Sequence, residues 1–133
     1  MIDAENLIFA NIATALRAAY PGIWVVGEYI DVPADFPAVS IVEADNSVLR
    51  KMSTLEIENA ASVMYEVNVY SNLARGKKQQ AKAIIAAIDD EFNKMNFVRK
   101  MCNPVSNLQD ATIYRMVARY EAVIDKDFWI YTD

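Results

Sequence analysis

Three kinds of side chain in this sequence could do chemistry: carboxylates set close together, a single thiol, and a lysine pair following a glycine. Paired carboxylates occur at Glu28 and Asp31, at Glu43 and Asp45, and across Asp89, Asp90 and Glu91. Such pairs serve general acid–base catalysis or hold a hard cation. None stands in an Asp-x-Asp-x-Asp-Gly loop, and acidic residues at strand ends and helix termini are mostly solvated. Cys102 is the only cysteine, which excludes an internal disulfide and a cysteine metal cage. Beside Met101 and Val98 it reads as a small buried apolar residue, not a nucleophile. Gly76-Lys77-Lys78 has the form of the end of a phosphate-cradling loop. The glycine such a loop needs five residues earlier is replaced by Ser71, and no Ser or Thr follows the lysine.

The chain holds no histidine. It therefore cannot build a Ser-His-Asp or Cys-His pair, a His-Glu-x-x-His zinc site or an imidazole general base. Carboxylate, lysine or tyrosine chemistry remains open, but no constellation gathers it, so neither enzymatic activity nor a metal or cofactor is expected. A net charge of −5 argues against holding DNA or RNA through phosphates, which needs a basic face. Tyr65, Tyr70, Tyr114 and Tyr120 fall on strand-like segments, yet Arg115 and Arg119 occupy the face opposite Tyr114 and Tyr120. A base-stacking platform needs both on one face, so these tyrosines read as core or interface packing.

The elements that position these residues follow from periodicity. Asp3 can N-cap a helix from Ala4 to Tyr20, with Leu7, Ile8, Ile12, Ala15, Leu16 and Ala19 on one face, stopped by Pro21-Gly22. A strand over 23–30 and a second over 37–45 read as a hairpin around a turn from Val32 to Phe36, which holds Pro33 and Asp35. The stretch from Asn46 to Asn59 fits neither period, and its Val48, Leu49, Met52, Leu55 and Ile57 suggest a poorly formed strand or an arm awaiting a partner. Val63, Tyr65, Val67 and Val69 alternate with Ser62, Glu66 and Asn68 in a half-buried strand. A helix from Ala74 to Met95 carries Ala81, Ile84, Ile85, Ile88, Phe92 and Met95 in one stripe. Its Arg75, Lys77 and Lys78 at the start and Asp89 to Glu91 at the end oppose the macrodipole, at about 0.3–1 kcal/mol per exposed charge. A short strand over 97–101, a long one over 112–124 and a last one over 128–131 complete the reading. The expected fold is α+β: a mostly antiparallel sheet of about five strands with two main helices packed on one face, residues 1–133 forming one domain. A hydrophobic share of 54% leaves apolar surface for an interface. No apolar run approaches the ~20 residues of a membrane span, and Asp3 and Glu5 stand where a signal peptide carries Lys or Arg. The expectation is a cytoplasmic protein.

The order of landmarks resembles a known group. Pro37 to Asn46 (PAVSIVEADN), Tyr65 to Asn72 (YEVNVYSN), Gly76-Lys77-Lys78 opening a helix, Ile113-Tyr114-Arg115 and Ala118 to Asp125 (ARYEAVID) are similar to the tail-terminator, or tail-completion, proteins of long-tailed bacteriophages, often labelled minor capsid proteins. The likeness runs from the first helix to the last strand and rests on packing motifs. It implies a ring, usually a hexamer, that caps the tail tube, stops its growth and offers a surface to the head-completion or connector protein. DNA would pass through without specific binding, and the protein would be found in the host cytoplasm during assembly and then in the virion tail. A tube or connector protein of related shape is the alternative, followed by a small binding module or enzyme.

If the chain forms a ring, the subunit contacts are expected at Leu49, Arg50, Lys51, Met52 and Leu55 in the arm, and at Arg75, Lys77 and Lys78 at the start of the second helix. Replacing Leu49, Met52 and Leu55 with Ser is predicted to leave the monomer folded and to abolish assembly. Circular dichroism and sedimentation check the two halves of that statement: a variant that unfolds, or one that still forms rings, contradicts it.

Overall fold

The computed structural model describes residues 1–49, 59–106 and 110–132. Helix α1 spans Glu5–Ala19 and buries Ile8, Ile12, Ala13 and Leu16. The stripe is centred on the i, i+4 series 8, 12, 16, which turns Leu7 outward to 43% exposure and leaves Ala19 exposed, unlike the stripe expected from sequence. Asp3 is not the N-cap: Ala4 holds that position, and Asp3 Oδ1 accepts the Glu5 N–H at 3.2 Å from one residue further back. The helix ends as expected at Pro21-Gly22, where Gly22 takes φ 86°.

Strand β1 is only Trp24–Val26, and it runs parallel to β2, Ala38–Val48, with Trp24 opposite Ala38. The expected hairpin is therefore corrected. Alternation stops at Gly27-Glu28, and residues 27–37 carry the chain back to the end it left, as a parallel pair demands, instead of reversing it. Strand β3, Ala60–Ser71, then pairs antiparallel with β2 from Ala38↔Tyr70 to Val48↔Ala61. A bulge between Glu43 and Asp45 inserts Ala44 and shifts the parity of β2. This explains why β2 runs on to Val48 although its sequence loses a period of two after Asp45.

Helix α2 spans Lys77–Lys94, starting three residues later than expected because Gly76, at φ 83°, is its N-cap. It buries Ala81, Ile84, Ile85, Ile88 and Phe92, the stripe read from sequence except for Met95, which is the half-buried C-cap. Strand β4, Val98–Val105, reaches past the expected 97–101 through Asn103 and Pro104. Proline is tolerated there because β4 is an edge strand, and a bulge between Arg99 and Met101 absorbs the irregular register. Strand β5, Tyr114–Asp125, pairs with β3 along its whole length, and β6 is the short Ile130–Tyr131 added to the end of β5.

The result is an α+β fold: a six-stranded, mostly antiparallel sheet of order β1-β2-β3-β5-β4 with β6 on β5. Both helices pack on the face that presents Val39, Ile41, Val63, Tyr65, Val67, Ala118, Tyr120 and Ala122, in one core cluster. Strand β3 is buried on both faces towards its end, with Asn68 and Tyr70 also inaccessible, so it is more enclosed than a half-buried strand. No helix among the described residues is long and apolar enough to cross a membrane.

Candidate functional site

Of the expected contact residues, Arg50, Lys51, Met52 and Leu55 lie outside the described residues. Leu49 follows β2, half-buried, and donates its N–H to Ala60 O at 2.9 Å. Lys77 is turned into its own chain: Nζ donates to Ala111 O at 3.4 Å and Thr112 O at 3.3 Å, tying the start of α2 to the turn before β5. Arg75 and Lys78 point outward, and neither meets a carboxylate among the described residues. The acids at the far end of α2 are better placed than the macrodipole alone suggests. Asp89 Oδ1 accepts the Tyr120 hydroxyl at 2.9 Å and Arg99 Nη1 at 3.2 Å, and Glu91 pairs with Lys94 at 3.2 Å. These local partners offset the unfavourable dipole interaction.

The other carboxylates are dispersed. Because the bulge at Ala44 flips parity, Glu43 and Asn46 share the helix-bearing face, and Asn46 Nδ2 donates to Glu43 at 2.7 Å. Glu43 also accepts the buried Tyr65 hydroxyl at 2.8 Å, while its backbone N–H donates to Glu5 of α1 at 2.9 Å. This is a structural link between sheet and helix. Burial, then the hydrogen bond and charge of Glu43, hold the Tyr65 hydroxyl far above the usual tyrosine range, and burial with Asp89 does the same to Tyr120. Among the described residues no group of three or more His, Cys, Asp or Glu is placed to hold a metal.

The face away from the helices carries a ladder of cross-strand partners. Arg119 chelates Glu66 Oε1 through Nε and Nη2 at 3.1 and 3.0 Å, and Arg115 chelates Asn68 Oδ1 at 2.9 and 2.7 Å while lying 5.6 Å from the Tyr70 ring centroid. These pairs fix the register of β3 and β5 and cover the sheet without a second helix layer.

Two surfaces escape the sequence reading. The first is the β5–β6 turn. The expected strand 128–131 begins only at Ile130, because residues 125–129 close a tight turn in which Asp125 Oδ1 accepts the N–H groups of Asp127 and Trp129 at 2.9 and 3.0 Å. Phe128 is held at φ 65°, a left-handed conformation that is strained for an aromatic residue. The turn leaves Phe128 45% and Trp129 69% exposed, at the end of the sheet where β2 also exposes Val48. Asp125 and Asp127 are turn-forming residues, but nothing local marks the aromatics of the turn as facing solvent.

The second is a cleft of about 770 Å³ between the first half of α1 and the β1 edge. Phe9, Trp24 and Tyr29 contribute aromatic surface, and Glu5, Glu28 and Asp31 contribute carboxyl groups. Gly27 lies against the Phe9 ring: a β-carbon there would sit 3.7 Å from two of its carbons, ordinary contact distance. The cleft joins two stretches of sequence, residues 5–9 and 24–32, so no single motif announces it. No protein-family model matches the chain, and no curated protein is a significant match to it.

Proposed function

We propose that this chain is a structural virion protein of a long-tailed bacteriophage, a ring-forming subunit that caps the tail tube, ends its growth and offers the head-joining surface. The motifs that carry the resemblance lie on β2, β3 and β5, adjacent strands at the centre of the sheet, and on the start of α2. The observation that carries an assembly role is the braced β5–β6 turn. A strained backbone that holds Phe128 and Trp129 in solvent costs on the order of 1–3 kcal/mol, and it contributes nothing to the core. Large exposed aromatics on a rigid turn are the usual anchors of protein interfaces. On this reading the partners are further copies of the chain, the tube protein and the head-completion protein, and no reaction is catalysed.

Disrupting the gene in the phage or prophage that carries it is the direct test, read by electron microscopy of the lysate. Filled heads without tails, together with overlong free tubes, are the expected result. Virions of normal tail length would reject the assignment.

A further inference from the structure

Exposed charges of opposite sign stand at the two edges of the sheet. At the β1 edge, Glu28 and Asp31 rim the aromatic cleft and Asp35 follows in the same loop; none of the three has a cationic partner among the described residues. At the β4 edge the sign reverses. Asp89 on α2 bonds Arg99 of β4, which fixes the flank of the helix that overlooks that edge. Lys82 lies seven residues before Asp89 and Lys78 eleven before it, nearly two and three helical turns, so both project from the same flank. Both are exposed and neither meets a carboxylate among the described residues. Arg99 and Lys100 add to the positive character of this edge, although each already has an acidic partner.

We infer that the cleft of one copy receives the Lys78–Lys82 flank of the next, and that this contact is the repeating interface of the ring. The inference rests on the ring-forming reading and gives it a surface. The chemistry fits a lysine. Its aliphatic stem lies along Phe9 and Trp24, its ammonium sits over Trp24 or Tyr29 as a cation–π contact, and Glu28 and Asp31 neutralise it. The geometry fits a cycle. Cleft and lysine flank occupy opposite edges of one sheet and are different surfaces, so the contact is head-to-tail, and a head-to-tail contact closes into a ring when its rotation divides the circle. Each chain carries a net charge of −5, so copies repel unless opposite charges meet locally. That makes the pairing of edges a selector of register as well as a source of affinity.

Two variants test this, each changing only exposed residues: Lys78→Glu with Lys82→Glu, and Glu28→Lys with Asp31→Lys. Far-ultraviolet circular dichroism and thermal melting establish that both remain folded. Sedimentation should show the wild type assembling, alone or on purified tail tubes, and each variant alone about 100-fold weaker or monomeric. An equimolar mixture of the two variants should recover assembly, because acidic cleft then meets basic flank, and reversed cleft meets reversed flank, in alternation around the ring. Wild-type rings that persist unchanged in both variants would overturn this interface and leave the ring reading standing. A wild-type chain that assembles neither alone nor on tubes overturns both. If, in addition, an oligolysine peptide quenches Trp24 in a Trp129→Phe background, the cleft belongs to another protein's basic segment and not to a second copy.

Discussion

Phe92→Ala is expected to lower the unfolding free energy by about 3–5 kcal/mol, a large share of the 5–15 kcal/mol that holds a domain of this size together. Phe92 is fully buried and forms the hub of an aromatic cluster. Its ring stacks on Tyr120 at 4.2 Å and 10°, meets the edge of Phe97 at 5.0 Å and lies 6.1 Å from Tyr65. Truncation removes these contacts together and leaves a cavity between the last turn of α2 and the two central strands, which rigid sheet backbone cannot close. Urea denaturation checks the prediction: the midpoint should fall sharply with little change in slope. A loss below about 1 kcal/mol would mean that the cluster is loosely packed. The consequence reaches the surface. Phe92 anchors the helix whose opposite end displays Lys78 and Lys82, so a loosened α2 should weaken assembly without any change in the lysines themselves.

How much of this was legible beforehand depends on whether a feature is local. The α2 stripe is a pure 3.6-residue pattern, and the Val63–Val69 alternation is a pure period of two; both survive in the fold. What failed was set by contacts distant in sequence. The orientation of β1 depends on where residues 27–37 return, and nothing in the residues 23–26 themselves distinguishes a parallel from an antiparallel neighbour. The length of β2 was hidden by one inserted residue at Ala44, which breaks the alternation the reading relied on. The length of β4 is hidden by Asn103 and Pro104, turn-forming residues that a central strand would exclude and an edge strand accommodates. The aromatic cleft was invisible because Phe9, Trp24 and Tyr29 come from a helix, a strand and a loop. The basic start of α2, in contrast, was legible as a feature. Only the structure divides it into Lys77, which bonds its own chain, and Lys78, which meets no carboxylate among the described residues.

Stability should be insensitive to Tyr65 and Tyr120 up to about pH 10 and then fall by about 1.4 kcal/mol per pH unit for each of them, about 2.7 together. The sign follows from the direction of the shifts. Both hydroxyls are buried beside a carboxylate, Tyr65 on Glu43 and Tyr120 on Asp89, and both are raised well above the value of a free tyrosine. Below the unfolded-state value both states keep the proton and the stabilisation is fully present. Above it the unfolded chain releases the proton while the folded chain retains it, so each further unit of pH favours unfolding. Unfolding free energies between about pH 9 and 11.5, with tyrosinate absorbance followed in parallel, should show ionisation of these two groups only on unfolding. The Tyr65→Phe, Tyr120→Phe double variant separates this from general alkaline damage. At neutral pH it should lose about 1 kcal/mol per missing hydrogen bond, whereas its alkaline slope should be shallower by about 2.7 kcal/mol per unit. An unchanged slope would show that the hydroxyls ionise in place and that the protonated Tyr120 does not hold α2 to β5. If the slope does flatten, ring assembly and folding should be lost over the same alkaline range in the wild type. The reason is positional: the Glu5–Glu43–Tyr65 link supports α1 beside the cleft, and the Asp89–Tyr120 link fixes the α2 flank that carries the lysines.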